Sequence, residues 1–222
     1  TVAENGRLTR VSVVGKGTRI DIDASVFIDG TGDGDLGFMA GARYEKGDEL
    51  QPPTTMFALT GFHKEEFMRF LDEHPENMRQ LESVQIDDGY DTNLWRGPDS
   101  YVFVGMKAYL DEIRKKYPEC PILRENIIYI NSTIPGKIWI NTVRVPGCDG
   151  SDIESLSDGE IKGMLQIPGI VKTLVDYVPG FEDCVLDEIC PAIGIRESRR
   201  ICGLSRIDYH DALAGKKPYD TI

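Results

Sequence analysis

The sequence lacks any apolar run long enough to cross a bilayer. Its longest apolar-rich stretches, such as Ile127-Ile128-Tyr129-Ile130, have only the length of a strand. It also lacks a basic run: Arg199-Arg200 and Lys115-Lys116 are isolated pairs in a chain of net charge −12. A surface this acidic repels phosphate backbones, which argues against nucleic acid as a partner. No C-x-x-C pair occurs among the five cysteines, Cys120, Cys148, Cys184, Cys190 and Cys202, so metal and redox-motif spacings are absent. Reduced, mostly buried thiols and a cytoplasmic setting are the corresponding expectation, with a Cys184–Cys190 pair as the alternative. There is no signal peptide at the polar start, and no methionine leads it. The chain opens on the turn signal Asn5-Gly6 and reads as an excised piece of a longer parent. Neither a G-x-S-x-G elbow nor an H-E-x-x-H is present. The three histidines, His63, His74 and His210, share no ligand spacing and read as surface or capping residues.

What is there begins with alternation. Leu8, Val11 and Val13 alternate with Arg10 and Ser12, and Ile20 and Ile22 alternate with Arg19, Asp21 and Asp23. With Gly15-Lys16-Gly17 between them, these read as a β-hairpin. A third strand is expected over Ser25 to Asp29, running into the glycine-rich loop Gly30-Thr31-Gly32-Asp33-Gly34-Asp35 and then a short helix from Leu36. Further along, a strand is expected over Thr54 to Leu59 and a helix over His63 to Glu73, stopped by Pro75. Ser83 to Ser100 is turn-rich, and a helix is expected over Val104 to Tyr117. Strands follow over Ile127 to Asn131 and Lys137 to Val145. Ser157 with Glu160 fits a capping box opening a helix whose apolar residues are Ile161, Met164 and Leu165. Pro168-Gly169 should break or kink that helix before Ile170 to Val178 resumes. Val185 to Ile195 reads as a strand extending toward Arg199, and Asp208 to Ile222 as loop. The mixture predicts an α+β or α/β fold with segregated pieces.

The chemistry concentrates at Phe27-Ile28-Asp29-Gly30-Thr31-Gly32-Asp33-Gly34-Asp35. An apolar segment ending in a Gly/Thr/Asp loop lets backbone N–H groups approach a ligand closely; the same residues on their own also describe an acidic tight turn. A calcium loop fails the test. Counted from Asp29 the twelfth position is Ala40, and from Asp33 it is Tyr44. From Asp149, Ile153 and Glu154 stand where an oxygen ligand and a glycine belong. Use of Asp29, Asp33 and Asp35 by a metal-dependent hydrolase ranks last, since no histidine lies nearby in sequence. In Arg196-Glu197-Ser198-Arg199-Arg200, an extended backbone puts Arg196, Ser198 and Arg200 on one face and Glu197 and Arg199 on the other. Glu197 and Arg199 then read as a structural ion pair. Arg196 reads equally as a member of such a network or as a guanidinium that holds a negatively charged group such as a substrate carboxylate. Trp95, Trp139, Tyr101 and Tyr129 read as core aromatics, with lining of a pocket as the alternative.

The hairpin, Ile28 through Leu36, and Ala40-Gly41-Ala42-Arg43-Tyr44-Glu45 together resemble the second flavin motif of bacterial FAD-dependent oxidoreductases. The resemblance continues through Thr55-Met56-Phe57, Pro135-Gly136 with Asn141-Thr142-Val143-Arg144, and Val178-Pro179-Gly180-Phe181-Glu182. It ends on Gly194-Ile195-Arg196-Glu197-Ser198-Arg199-Arg200, similar to the family's G-x-R-E-[ST]-R-R signature. Gly30 stands where that family usually has alanine, and the Rossmann G-x-G-x-x-G does not occur. The resemblance implies a fragment of an FAD/NAD(P)-binding flavoprotein fold with a β-rich substrate-side domain. Residues 1–45 would be the edge of the FAD-binding domain, 46–190 the substrate-side domain and 191–222 a return toward the flavin. It implies FAD as the parent's cofactor, contacted by Thr31, Gly32, Asp33 and Gly34, with Arg196 as the candidate catalytic residue and no metal. The partners implied are a small-molecule substrate and the remaining segments of the parent chain, without nucleic acid or membrane. Without the helix N-terminus that holds the pyrophosphate, the fragment alone is expected to bind FAD weakly or not at all and not to be catalytically competent. The alternative is a non-catalytic acidic ligand-binding module.

Overall fold

In the computed structural model the described residues are 2–4, 6–77 and 102–217. In chain order they form β1 (Val2–Glu4), β2 (Arg7–Gly15), β3 (Thr18–Asp23), α1 (Asp35–Met39), β4 (Tyr44–Glu45), β5 (Phe57–Thr60) and α2 (Lys64–Glu73). These are followed by β6 (Val102–Gly105), α3 (Lys107–Lys116), β7 (Ile127–Asn131), β8 (Lys137–Ile140), α4 (Ile153–Tyr177), β9 (Val185–Ile189), β10 (Arg200–Ile201) and α5 (Tyr209–Leu213). The fold is mixed α and β, as the pattern of elements predicts. The chain divides into two compact units, residues 1–48 with 198–222, and residues 49–197. The turn-rich stretch from Ser83 to Ser100, with Trp95 and Tyr101, lies outside the described residues.

In the first unit, β1, β2 and β3 form a three-stranded antiparallel sheet. The β2–β3 hairpin closes through Lys16-Gly17, both with positive φ (47° and 76°), the backbone that a two-residue turn needs to match strand twist. Arg10 braces it across the strands with two hydrogen bonds to the Asp23 carboxylate at 2.7 and 2.9 Å. The expected third strand over Ser25 to Asp29 does not form. No neighbouring strand pairs with it among the described residues; Arg7 donates to the Ser25 carbonyl and Asp29 spends its side chain on the loop that follows. Short β4 pairs with β10 through Arg200–Glu45 and Ile201–Tyr44.

The second unit is built on a five-stranded antiparallel sheet in the order β6-β7-β8-β5-β9. Its registers, such as Phe57 opposite both Ile140 and Ile189 and Tyr129 opposite Ile140, put one set of side chains in the core. There Phe62, Phe67, Phe103, Tyr129 and Phe181 pack as one aromatic cluster, Phe103 stacked on Tyr129 at 4.9 Å and Phe67 edge-on to it at 5.5 Å. Because all the pairings are antiparallel, the end of β6, the start of β7, the end of β8, the start of β5 and the end of β9 lie together. Beyond the named strands this end continues through Asn141 N–H to Ile128 O (2.8 Å), Val145 N–H to Pro53 O (3.1 Å) and reciprocal bonds between Thr54 and Gly194.

Helix α4 departs from expectation in three ways. Its N-cap is Asp152, whose side chain accepts from Ser155 N–H at 2.8 Å, rather than the Ser157/Glu160 box. Pro168 sits inside it without ending it: Ile167 and Ile170, both fully buried, hold the turns on either side and offset the missing hydrogen bond. Ile161, Met164 and Leu165 are exposed, and the inward stripe is Gly159, Gly163, Ile167, Ile170, Thr173 and Leu174. The glycines belong inside because the helix lies close: a Cβ at Gly163 would come within 2.4 Å of Thr55 Oγ1, and one at Gly159 within 2.5 Å of Cys148 Sγ. The helix expected from Val104 begins at Lys107 instead, since residues Val102–Gly105 pair with β7 first. Histidines 63 and 74 occupy the two ends of α2, as N-cap and C-cap residues. All five cysteines are free thiols, with Cys148 and Cys184 buried.

Candidate functional site

Asp29 organises the glycine-rich loop. One carboxylate oxygen accepts from the Thr31 hydroxyl (2.7 Å) and the Thr31 amide (3.1 Å); the other accepts from the Gly37 amide at 2.8 Å. Thr31 Oγ1 in turn accepts from Asp35 N–H at 2.8 Å, which carries the loop into α1. The Thr31 hydroxyl, then the amides of Gly37, Thr31 and Leu36, hold the Asp29 carboxyl below its ordinary value. It therefore stays ionised, as an acceptor of all these bonds requires.

The return segment closes the loop from its other side. Ser198 donates its hydroxyl to the Asp33 carboxylate. Arg199 donates from Nε to the Asp33 carbonyl at 3.1 Å, ion-pairs with Asp35, and lies over the Phe38 ring with its guanidinium carbon 4.2 Å from the centroid. Its side chain is only 7% exposed. Ile201 packs against Gly34 and Gly37 so closely that a Cβ on Gly34, whose φ is +66°, would meet its Cγ1 at 2.9 Å. The expected Glu197–Arg199 pairing is thus replaced. Residues 195–199 form no strand, Arg199 turns to Asp35, and Glu197 accepts from the Gln51 amide at 3.2 Å.

Four of the expected site residues come together here. Thr31 is a framework residue, with its hydroxyl and amide both engaged. Gly32, with φ of +83°, has open space where a Cβ would be. The amides of Gly32, Asp33 and Gly34 donate to no acceptor among the described residues. Three successive free N–H groups beside an anchored framework can receive ligand oxygens. In the same unit Arg7, Leu8, Phe27, Asp29, Leu36 and Ala40 line a cleft of about 380 Å³. Arg196, the fifth expected residue, belongs to the second unit. It is exposed, two residues beyond the Thr54–Gly194 bridge.

The sequence matches the model of the FAD dependent oxidoreductase family over residues 1–222. The chain belongs to that family. No curated protein and no solved structure matches it. In this member of the family the glycine-rich loop is legible in the sequence, but the residues that hold it are not. Asp29, Asp35, Ser198 and Arg199 were visible as types, yet more than 160 residues separate Ser198 and Arg199 from their partners. No helix among the described residues is long and apolar enough to cross a membrane.

Proposed function

We propose that the Gly32–Gly34 amides, with Thr31 and Asp33, hold part of FAD, and that the protein oxidises or reduces a small organic molecule bound by residues 49–197. Bound FAD supplies the two-electron carrier. The observation that carries this reading is the row of three free amides on a loop anchored by Asp29 and Arg199, in a chain of the FAD dependent oxidoreductase family. The Asp29 carboxyl, held below its ordinary value, is an ionised neighbour of the site, so the oxygens the amides take would come from flavin groups that also donate, such as hydroxyls, more readily than from bare phosphate. Arg196 remains the candidate for stabilising negative charge on substrate or flavin. Lacking a G-x-G-x-x-G, the 222-residue chain holds FAD weakly or not at all by itself.

The test is a visible absorption spectrum of the full-length gene product purified without added cofactor. A flavin spectrum, released as free FAD on denaturation and lost in Asp29→Ala, is the expected result. A colourless protein that also refuses added FAD sinks the proposal.

A further inference from the structure

Three arginines meet at the end of the five-stranded sheet where β7 starts and β8 and β9 finish. Arg124 lies three residues before β7, Arg144 four residues after β8, and Arg196 seven residues after β9. The antiparallel order of these strands with β5 brings all three segments to one end. Arg124 is half-buried, and its guanidinium feels the charges of both Arg144 and Arg196. Burial first, and those two like charges second, push the Arg124 pKa down.

Each arginine stands on a pinned backbone. Arg114 on α3 donates to the carbonyls of Ile122 and Arg124. Gln166 on α4 accepts from Arg144 N–H (3.3 Å) and donates to Arg144 O (3.0 Å). Near Arg196, Glu160 on α4 accepts from Ile193 N–H at 2.8 Å, and Gly194 is tied to Thr54. Yet none of the three guanidiniums has a hydrogen bond or an ion pair among the described residues. In a chain of net charge −12 with 37 acidic residues, three arginines brought to one sheet end with no ion-pair partner among the described residues are an unusual arrangement. Like charges held together on fixed backbones are unfavourable until an anion joins them, and guanidinium forks match planar or tetrahedral oxyanions.

We propose that Arg124, Arg144 and Arg196 form a binding site for an oxyanion, carboxylate or phosphate, carried by the substrate. This deepens the reading of residues 49–197 as the substrate-binding part and rests on it: the substrate class is a small organic acid or phosphate ester. Arg124 is the anchor at the half-buried base of the site, and Arg144 and Arg196 are its exposed arms.

The test is calorimetric titration of the full-length protein at low salt with malonate and, separately, with inorganic phosphate. Saturable binding of one or both is expected, falling about tenfold or more in Arg124→Gln and recovering in part in Arg124→Lys. Arg196→Gln, at an exposed position, should weaken binding similarly and keeps the test standing if the Arg124 variant does not fold. Absence of saturable binding by either anion overturns the proposal, as does equal affinity in a triple Arg→Gln variant. So does an Arg124→Gln protein that loses bound FAD while its anion affinities stay unchanged, since the cluster would then serve the dinucleotide's own phosphates. The heat of anion binding is independent of flavin colour. A protein that binds malonate but no FAD would therefore overturn the proposed FAD site and leave this one standing.

Discussion

The two units hold themselves together by different means. Residues 49–197 enclose every fully buried apolar side chain among the described residues, from Phe57 to Ile193. Among the described residues of 1–48 and 198–222 no apolar side chain is buried; Ser198 and the side chain of Arg199 are, while Val14 is 75% and Ile28 90% exposed. The larger unit is thus stabilised by area removed from water, the smaller by charge-assisted hydrogen bonds around Asp29, Asp33, Asp35 and Arg199. A core tolerates little change in volume but is indifferent to pH over a broad range. A polar framework tolerates loss of bulk, and it depends on the Asp29 carboxyl staying ionised. The same division separates roles: the loop offers free amides, and the cored unit fixes backbones that present side chains.

The sharpest way to break this comparison is truncation of one aromatic ring in each unit. Phe67→Ala, at the centre of the aromatic cluster, is expected to cost about 3–5 kcal/mol in urea unfolding. Phe38→Ala, whose ring is 43% exposed and lies under Arg199, should cost less than about 1 kcal/mol. Equal costs would erase the distinction. A smaller effect is expected from Arg199→Gln, which unties Asp35 and the Asp33 carbonyl. FAD affinity of the full-length protein should fall about tenfold, with the main unfolding transition unmoved. Acid should mimic it. The Asp29 carboxyl is held below 3.8, so the order it confers is complete above that pH and is lost as pH falls through the lowered value. FAD retained at pH 5 but released below that range is the expected profile.

The smallest effect concerns the thiols. Burial pushes Cys184 up to about 12 and raises Cys148 as well. At pH 8 both should resist a thiol reagent until the protein unfolds, while half-buried Cys120, Cys190 and Cys202 react first. With folded values raised, their contribution to stability is complete below the ordinary thiol value and lost as pH climbs toward the raised ones. Rapid native-state labelling of Cys184 would show that this core opens far more easily than its packing implies.

Local chemistry made several elements legible. Alternation with Gly15-Lys16-Gly17 predicts the β2–β3 hairpin, because both the period and the positive-φ turn are local properties. The loop at Thr31 to Gly34 was legible for the same reason. Helix α4 was legible as a helix, but its inward face was not. Gly159 and Gly163 carry no hydrophobic signal and are buried only because Thr55 and Cys148 approach them. Extended character was expected as far as Arg199, yet β9 stops at Ile189 because the chain beyond finds its partners in Glu160, Thr54 and Gln51.

By itself the sequence determined what depends on near neighbours: an acidic mixed α/β chain, the turn chemistry, the glycine loop and the family to which its motifs point. Only the tertiary structure decided what depends on distant partners. It placed Ser198 and Arg199 under a loop far away in the chain, and the antiparallel order of five strands carried Arg124 and Arg144 to the end where Arg196 stands. Hydrogen bonds and charges act over a few ångströms of space, and sequence separation does not measure that distance.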